Sequence, residues 1–159
     1  MFIFHEPVLL VVHPKHDLAK RRAVSQDELA RLARPLFRLR WWQSHHPKIT
    51  ELAQRAGTSI EVSMETARHL VIHGVGAGFF TRTYIAEPLA DGSVTEVAVR
   101  GLGPIFRDSA LVRRSRSGPL SPAAAELIET LRSHAEVLTE SGKAGSVSGP
   151  IRKRGPRAV

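Results

Sequence analysis

Cysteine is absent from the chain. Disulfides, thiolate metal sites and thiol nucleophiles are therefore excluded together, and the composition suits a reducing cytoplasm. Long apolar runs are lacking as well. The longest, such as Val8–Val12, fall far short of the roughly 20 residues that span a bilayer. The N-terminal MFIFHEPVLLVVHPKH has an apolar start but neither a basic leader nor a small-residue cleavage site, which argues against a secretory signal. Catalytic signatures are missing too: Ser115, Ser117 and Ser121 have no nucleophile-elbow glycine frame, and no HExxH occurs. Nothing in the sequence argues for an enzyme, and no cofactor is expected.

What is present suffices for a packed core. In 159 residues, 42% are hydrophobic, enough for one domain of ordinary size or two small lobes. Lys and Arg exceed Asp and Glu by 23 to 15, a formal charge of +8. Much of the excess lies in Lys20-Arg21-Arg22 and in the tail from Ile151 to Arg157, not in a stripe along one helix.

Val8–His13 is an apolar, β-branched run closed by Pro14 and reads as a strand buried on both faces. Lys15–Val24 reads as a polar loop. Ser25 and Glu28 have the spacing of a capping box, followed by Leu29, Leu32 and Ala33 until Pro35. Leu36–Trp41 alternates as a strand with one wet face. Pro47 starts a helix carrying Ile49, Leu52, Ala53 and Ala56, which Gly57 closes. Thr58–Ser63 is a short strand, and Ser63 caps a third helix with Met64, Ala67, Leu70 and Val71 on one side.

LVIHGVGAGFF (Leu70–Phe80) places Gly74, Gly76 and Gly78 at alternate positions. A dinucleotide loop needs its glycines after a strand and before a helix; these follow a helix. Gly74 instead falls where a helix wants a left-handed terminating residue. Beyond it come an apolar stretch from Phe79 towards Leu89, a turn at Asp91-Gly92, a strand over Val94–Val99, a strand candidate at Ala110–Val112, and a helix opened by Ser121-Pro122 that reaches to about Leu138. Residues 139–159 read as a disordered basic tail. The alternation predicts an α/β protein with a largely parallel sheet.

Several of these segments, in order, resemble the effector-binding region of LysR-type transcriptional regulators. They are Glu6–Val12 with His13–Ala19 (similar to that family's crossover strand and its "HPLA"-like end), Val24–Ala30, Leu70–Phe80 (similar to "LVAAGLGIALLP"), Glu87–Val94 and Pro119–Ala124. Asp17 and Thr81 stand where the family often has proline. The resemblance spans about residues 5 to 135. It implies a periplasmic-binding-protein-like (type 2) fold, with one complete lobe over about 14–104. Crossover strands and the last helix of the other lobe would lie in 5–13 and 105–138. No winged helix-turn-helix precedes Met1, so the resemblance is to a regulator truncated at its N-terminus.

The resemblance further implies a small-molecule effector, often an anion, held between two α/β lobes, and a homodimer. The basic strand end and the third helix's first turn are expected at that cleft. Arg38 would face the cleft, Arg40 would pair with a carboxylate, Trp41 would wall an apolar body, Thr66, beside Glu65 at the helix start, would donate a hydrogen bond, and Phe79 and Phe80 would close the floor. A solvated strand face accounts equally for the two arginines, and plain core for the two phenylalanines. His69 and His73, four apart with Glu65 upstream, have a spacing that can chelate zinc, but a polar helix face explains them as well and no metal is expected. A second reading is a small basic nucleic-acid-binding module whose tail grips phosphates. A third is an inactive remnant with the apolar side of its last helix uncovered.

Overall fold

The computed structural model describes residues 2–40, 47–112 and 118–144. Two compact units divide the chain, Met1–Val112 and Arg113–Val159. In the first lie strands β1 (Phe2–Val12), β2 (Ala23–Ser25), β3 (Leu36–Leu39), β4 (Ser59–Val62), β5 (Ala77–Thr81), β6 (Thr95–Arg100) and β7 (Phe106–Ala110). Its helices are α1 (Gln26–Ala30), α2 (Pro47–Arg55), α3 (Met64–Ile72) and α4 (Ala86–Ala90). The second unit holds α5 (Pro122–Ala144), whose start is capped where Ser121 Oγ accepts from the Ala124 N–H at 3.2 Å.

The sheet order is β2-β6-β1-β5-β3-β4, with β7 also on β1. β1 pairs antiparallel with β5, β6 and β7, whereas β2 is parallel to β6 and β3 is parallel to both β4 and β5. β5 and β6 flank β1, so they run together. The sheet is thus parallel throughout except for β1, which threads against the rest. Val8 to Val12 are all buried, as strands covered on both faces must be.

Helices cover both faces. β3 connects rightward to β4 through α2, and β4 returns past β3 to β5 through α3. Right-handed crossovers in opposite directions put α2 and α3 on opposite faces. α2 buries Ile49, Leu52 and Ala53 at helical spacing; α3 buries Ala67 and Val71. The capping box at α1 is complete, with Ser25 Oγ accepting from Glu28 N–H at 3.1 Å and Glu28 Oε2 accepting from Ser25 N–H at 2.7 Å.

The glycine segment is a stop followed by two close approaches. Gly74 has φ 75°, and the Val75 N–H reaches back to the Leu70 carbonyl at 3.0 Å, the closure of a helix by a left-handed residue. A Cβ on Gly76 would lie 2.2 Å from the Pro35 carbonyl oxygen, the acceptor that starts the β3–β5 pairing through Ala77 N–H at 3.0 Å.

Some elements depart from the sequence expectation. β1 begins well before Val8, and the loop expected over Lys15–Val24 contains a 3-10 turn (Asp17–Lys20) and β2. The strand expected at Ala110–Val112 lies earlier, because β7 is aligned by its pairing with β1 (Pro7 opposite Phe106) and not by its own apolarity. β3 has no wet face: Leu36, Phe37 and Leu39 are buried and only Arg38 is half-buried, since β3 is an interior strand. α4 carries no helical periodicity in sequence. α5 runs past Thr139 to Ala144, and the rest of the expected tail, 145–159, lies outside the described residues.

His16 is 2% exposed, and its Nδ1 accepts from the Leu18 N–H at 3.2 Å, so the neutral ring carries its proton on Nε2. Burial, then the Arg34 charge, hold its pKa below the ordinary 6.5, against an opposing push from Asp17. The folded state therefore binds this proton less readily than the unfolded chain. The stabilising contribution is complete above about pH 6.5 and is lost as pH falls below it. His16→Asn, which keeps a capping acceptor, should show a smaller loss of Tm between pH 6.5 and 5 than the parent. Gly76→Ala should lower unfolding free energy in denaturant by about 3 kcal/mol. Gly92→Ala, with nothing within 4 Å of the added carbon but a φ of 78°, should cost only about 1 kcal/mol.

Candidate functional site

β3 and β5 are neighbours whose following connections leave in opposite directions, β3 towards β4 and β5 towards β6. In an open α/β sheet such a reversal leaves a crevice outside the strands' carboxyl ends. Here that edge carries Arg40 after β3, Ser63 after β4 and Arg82 after β5. Helix starts gather at the same edge and turn free N–H groups towards it.

Arg38 lies on β3 opposite Glu61 of β4, and its Nε is buried without a hydrogen-bond partner among the described residues. Arg40 is exposed; its Nε is 3.3 Å from Glu61 Oε1, an ion pair worth little in water. Trp41 lies outside the described residues. Thr66 closes the α3 cap, its N–H donating to Ser63 Oγ at 3.1 Å and its Oγ1 2.8 Å from the same oxygen. Glu65 Oε1 accepts from the Tyr84 hydroxyl at 2.6 Å.

Phe79 and Phe80 are buried in β5 and point to opposite faces, so they do not form one wall. Phe79 shares a face with Arg38, because Leu36 pairs with Ala77 and side chains alternate from there. Phe80 lies on the α3 side and stacks on Tyr84 with ring centroids 6.0 Å apart. His69 and His73 have ring centroids 4.1 Å apart, with His73 Nδ1 2.8 Å from the His69 carbonyl oxygen. No group of three potential metal ligands forms among the described residues.

Three polar groups that sequence reasoning passed over lie at the same edge. Lys48, in the first turn of α2, donates to the Leu102 carbonyl at 3.3 Å and so ties that turn to the connector after β6. Thr50, also in that turn, has a buried Oγ1 without a hydrogen-bond partner among the described residues. Glu6 of β1 is 2% exposed, with Arg107 Nη2 of β7 at 2.7 Å from Oε1. That ion pair lacks hydrogen-bond alignment, and neither Glu6 oxygen has a hydrogen-bond partner among the described residues. The one available signal was a carboxylate inside the apolar run FIFHEPVLLVV.

Burial first, then the hydrogen bond to Glu65, push the Tyr84 hydroxyl up from 10.0 to about 12. Tyr84 is the only tyrosine in the chain, so phenolate absorbance reports it alone. In Glu65→Ala the titration midpoint should fall part of the way from about 12 towards 10, because burial persists. An unchanged midpoint would contradict the contact.

The LysR substrate binding domain family matches residues 2–136. No curated protein sequence matches the chain. Among solved structures, the regulatory domain of CcmR from Synechocystis in complex with 2-PG is similar at 12% identity and a TM-score of 0.61, covering 86% of this chain and 66% of that one. The reduced OxyR regulatory domain from Pseudomonas aeruginosa is similar at 20% identity and a TM-score of 0.63, covering 86% and 64%. The effector binding domain of QuiR in complex with shikimate is similar at 18% identity and a TM-score of 0.58, covering 86% and 66%. The chain thus spans just under two thirds of the length of these structures. At such identities the likeness shows the fold, a periplasmic-binding-protein-like α/β architecture.

Proposed function

The chain belongs to the LysR substrate binding domain family, and from that premise we propose that it is the ligand-sensing portion of a LysR-type transcriptional regulator, binding a small anion. The effector would lie between two α/β lobes, against the strand-end edge of the lobe described above. The observation that carries this reading is Arg38: a guanidinium whose Nε is buried and without a hydrogen-bond partner among the described residues, on a strand that ends at the crevice. A permanently charged planar donor in a half-buried setting suits a carboxylate or phosphate group. The half-dipole at the start of α2 adds to the same attraction.

Arg40 and Thr66 would contribute from the rim, with Glu65 holding Tyr84 beside them. Phe79 would pack beneath Arg38, and Phe80 would support the opposite face of β5. Trp41 belongs to the same expectation by its place after β3. The two solved effector complexes carry 2-PG and shikimate, which supports small polar molecules as the class to test.

Each helix in the first unit is followed by a strand, so no helix-turn-helix occurs among its described residues. In this reading, operator contact comes from a winged helix outside them, the assembly is a homodimer, and the compartment is the cytoplasm. No helix among the described residues is long and apolar enough to cross a membrane. Calorimetric titration of the chain with a panel of small carboxylates and phosphates should find saturable binding. Arg38→Gln should weaken it about tenfold or more, the scale of one charge-assisted hydrogen bond. A panel without binders, or binding indifferent to Arg38, would overturn the proposal.

A further inference from the structure

The end of α3 away from the crevice carries a different chemistry. Ser63 and Thr66 cap the start of this helix, whereas His69 lies in its last turn and His73 closes it. Thr66 and His73 are separated by about 10 Å along the axis. Both histidines are exposed, on the side away from the buried Ala67 and Val71.

Residues four apart on a helix are neighbours on one face. Here the two rings meet, with centroids 4.1 Å apart and planes inclined by 35°. His73 Nδ1 lies 2.8 Å from the His69 carbonyl oxygen. A carbonyl oxygen only accepts, so Nδ1 carries the proton and Nε2 holds the lone pair. In this tautomer a histidine binds a metal through one ring nitrogen while the other is anchored to the backbone. No hydrogen bond to the His69 ring forms among the described residues, so it can turn a nitrogen towards the same point. His134 of α5 makes the same contact to the Thr130 carbonyl at 3.1 Å, but the residues four away are Thr130 and Leu138, and no second imidazole accompanies it.

The surrounding charges suit a cation. The carbonyls at a helix end carry partial negative charge. The arginines on either side already have acceptors: Arg68 Nη2 is 3.3 Å from Glu87 Oε2, and Arg34 donates to the Gly74 carbonyl.

We propose that His69 and His73 form a chelating site for a divalent late transition-metal ion, Cu2+, Ni2+ or Zn2+, on the exposed face of α3. Two imidazoles four apart are the helical part of many zinc sites. No third protein donor joins them among the described residues, so solvent fills the remaining positions. Imidazole nitrogen selects these ions over Mg2+ and Ca2+, which take oxygen ligands, and Cu2+ binds most tightly. The ion staples the end of α3 that leads through Gly74 into β5. The site is independent of the effector reading, and either can fail without the other.

Calorimetric titration of the chelator-treated full chain should show saturable uptake of one equivalent of Ni2+ and none of Mg2+. His69→Gln and His73→Gln each leave a single imidazole and should weaken uptake about tenfold or more, because the effective concentration of the second ligand is lost. His134→Gln should leave it unchanged. With Cu2+, electron paramagnetic resonance should show two equatorial imidazole nitrogens in the parent and one in either variant, a signature that a merely structural pair does not produce. Both side chains are exposed, so the metal-free variants should keep the parent's Tm, and Zn2+ should raise Tm in the parent alone. Absence of saturable uptake by the parent overturns the inference. So does uptake, or a two-nitrogen spectrum, that survives either substitution, since the ion then sits on other histidines.

Discussion

One strand running against all the others organises this protein. β1 is the partner of β5 on one side and of β6 and then β7 on the other, so its backbone closes hydrogen bonds with elements drawn from most of the first unit. Its apolar half, Val8 to Val12, supplies buried side chains to both faces. Each such side chain contributes about 1.5–3 kcal/mol of burial, with Val8, Leu10 and Val12 filling one layer and Leu9 and Val11 the other. The antiparallel direction also brings the polar half of β1, with Glu6 and Pro7, to the edge where the parallel strands end. A parallel β1 would have sent that segment to the opposite end of the sheet, away from the crevice.

The crevice in turn depends on the connections. Because β3 and β5 send their chains in opposite directions, no connection crosses directly above their carboxyl ends, and the edge stays open. Helix starts converge there for the same geometric reason. The cationic groups at this edge are held to different degrees. Arg40 is tied loosely to Glu61, Lys48 is committed to the Leu102 carbonyl, and Arg38 Nε is committed to nothing among the described residues. The first two position the rim and the α2 turn; the third has binding capacity to spare.

Much of this architecture was legible from residues alone. The capping box at Ser25 and Glu28, the cap at Ser63, the apolar spacing of α2 and the terminating Gly74 are local signals, and the structure forms each as its chemistry requires. Signals failed where tertiary pairing overrode local pattern. β2 spans only Ala23–Ser25 and exists because β6 offers it an edge. β7 exists because β1 extends past its apolar half to pair with Phe106–Ala110, a segment whose own residues are charged and mixed. Gly76 was readable as glycine but not as a contact, since its meaning lies in a Pro35 carbonyl distant in sequence. Similarly, Arg38 stood out on an alternating strand, whereas Glu6 and Thr50 did not, because only the folded chain shows which buried polar atoms lack partners.

That distinction separates a site from a core. Apolar burial cannot tell the two apart: Phe79 and Phe80 are equally hidden, yet one shares the face of Arg38 and the other faces α3. Polar burial can, because an interior that serves stability alone has no reason to retain a carboxylate with open lone pairs. An apolar residue of similar shape at that position would stabilise the fold as well or better. Other polar groups of the first unit are engaged, Arg21 and Arg100 both meeting Glu28, Arg68 meeting Glu87 and Arg82 meeting Glu96, while His16 Nε2 and Ser59 Oγ, like Arg38 Nε, are buried without a hydrogen-bond partner among the described residues.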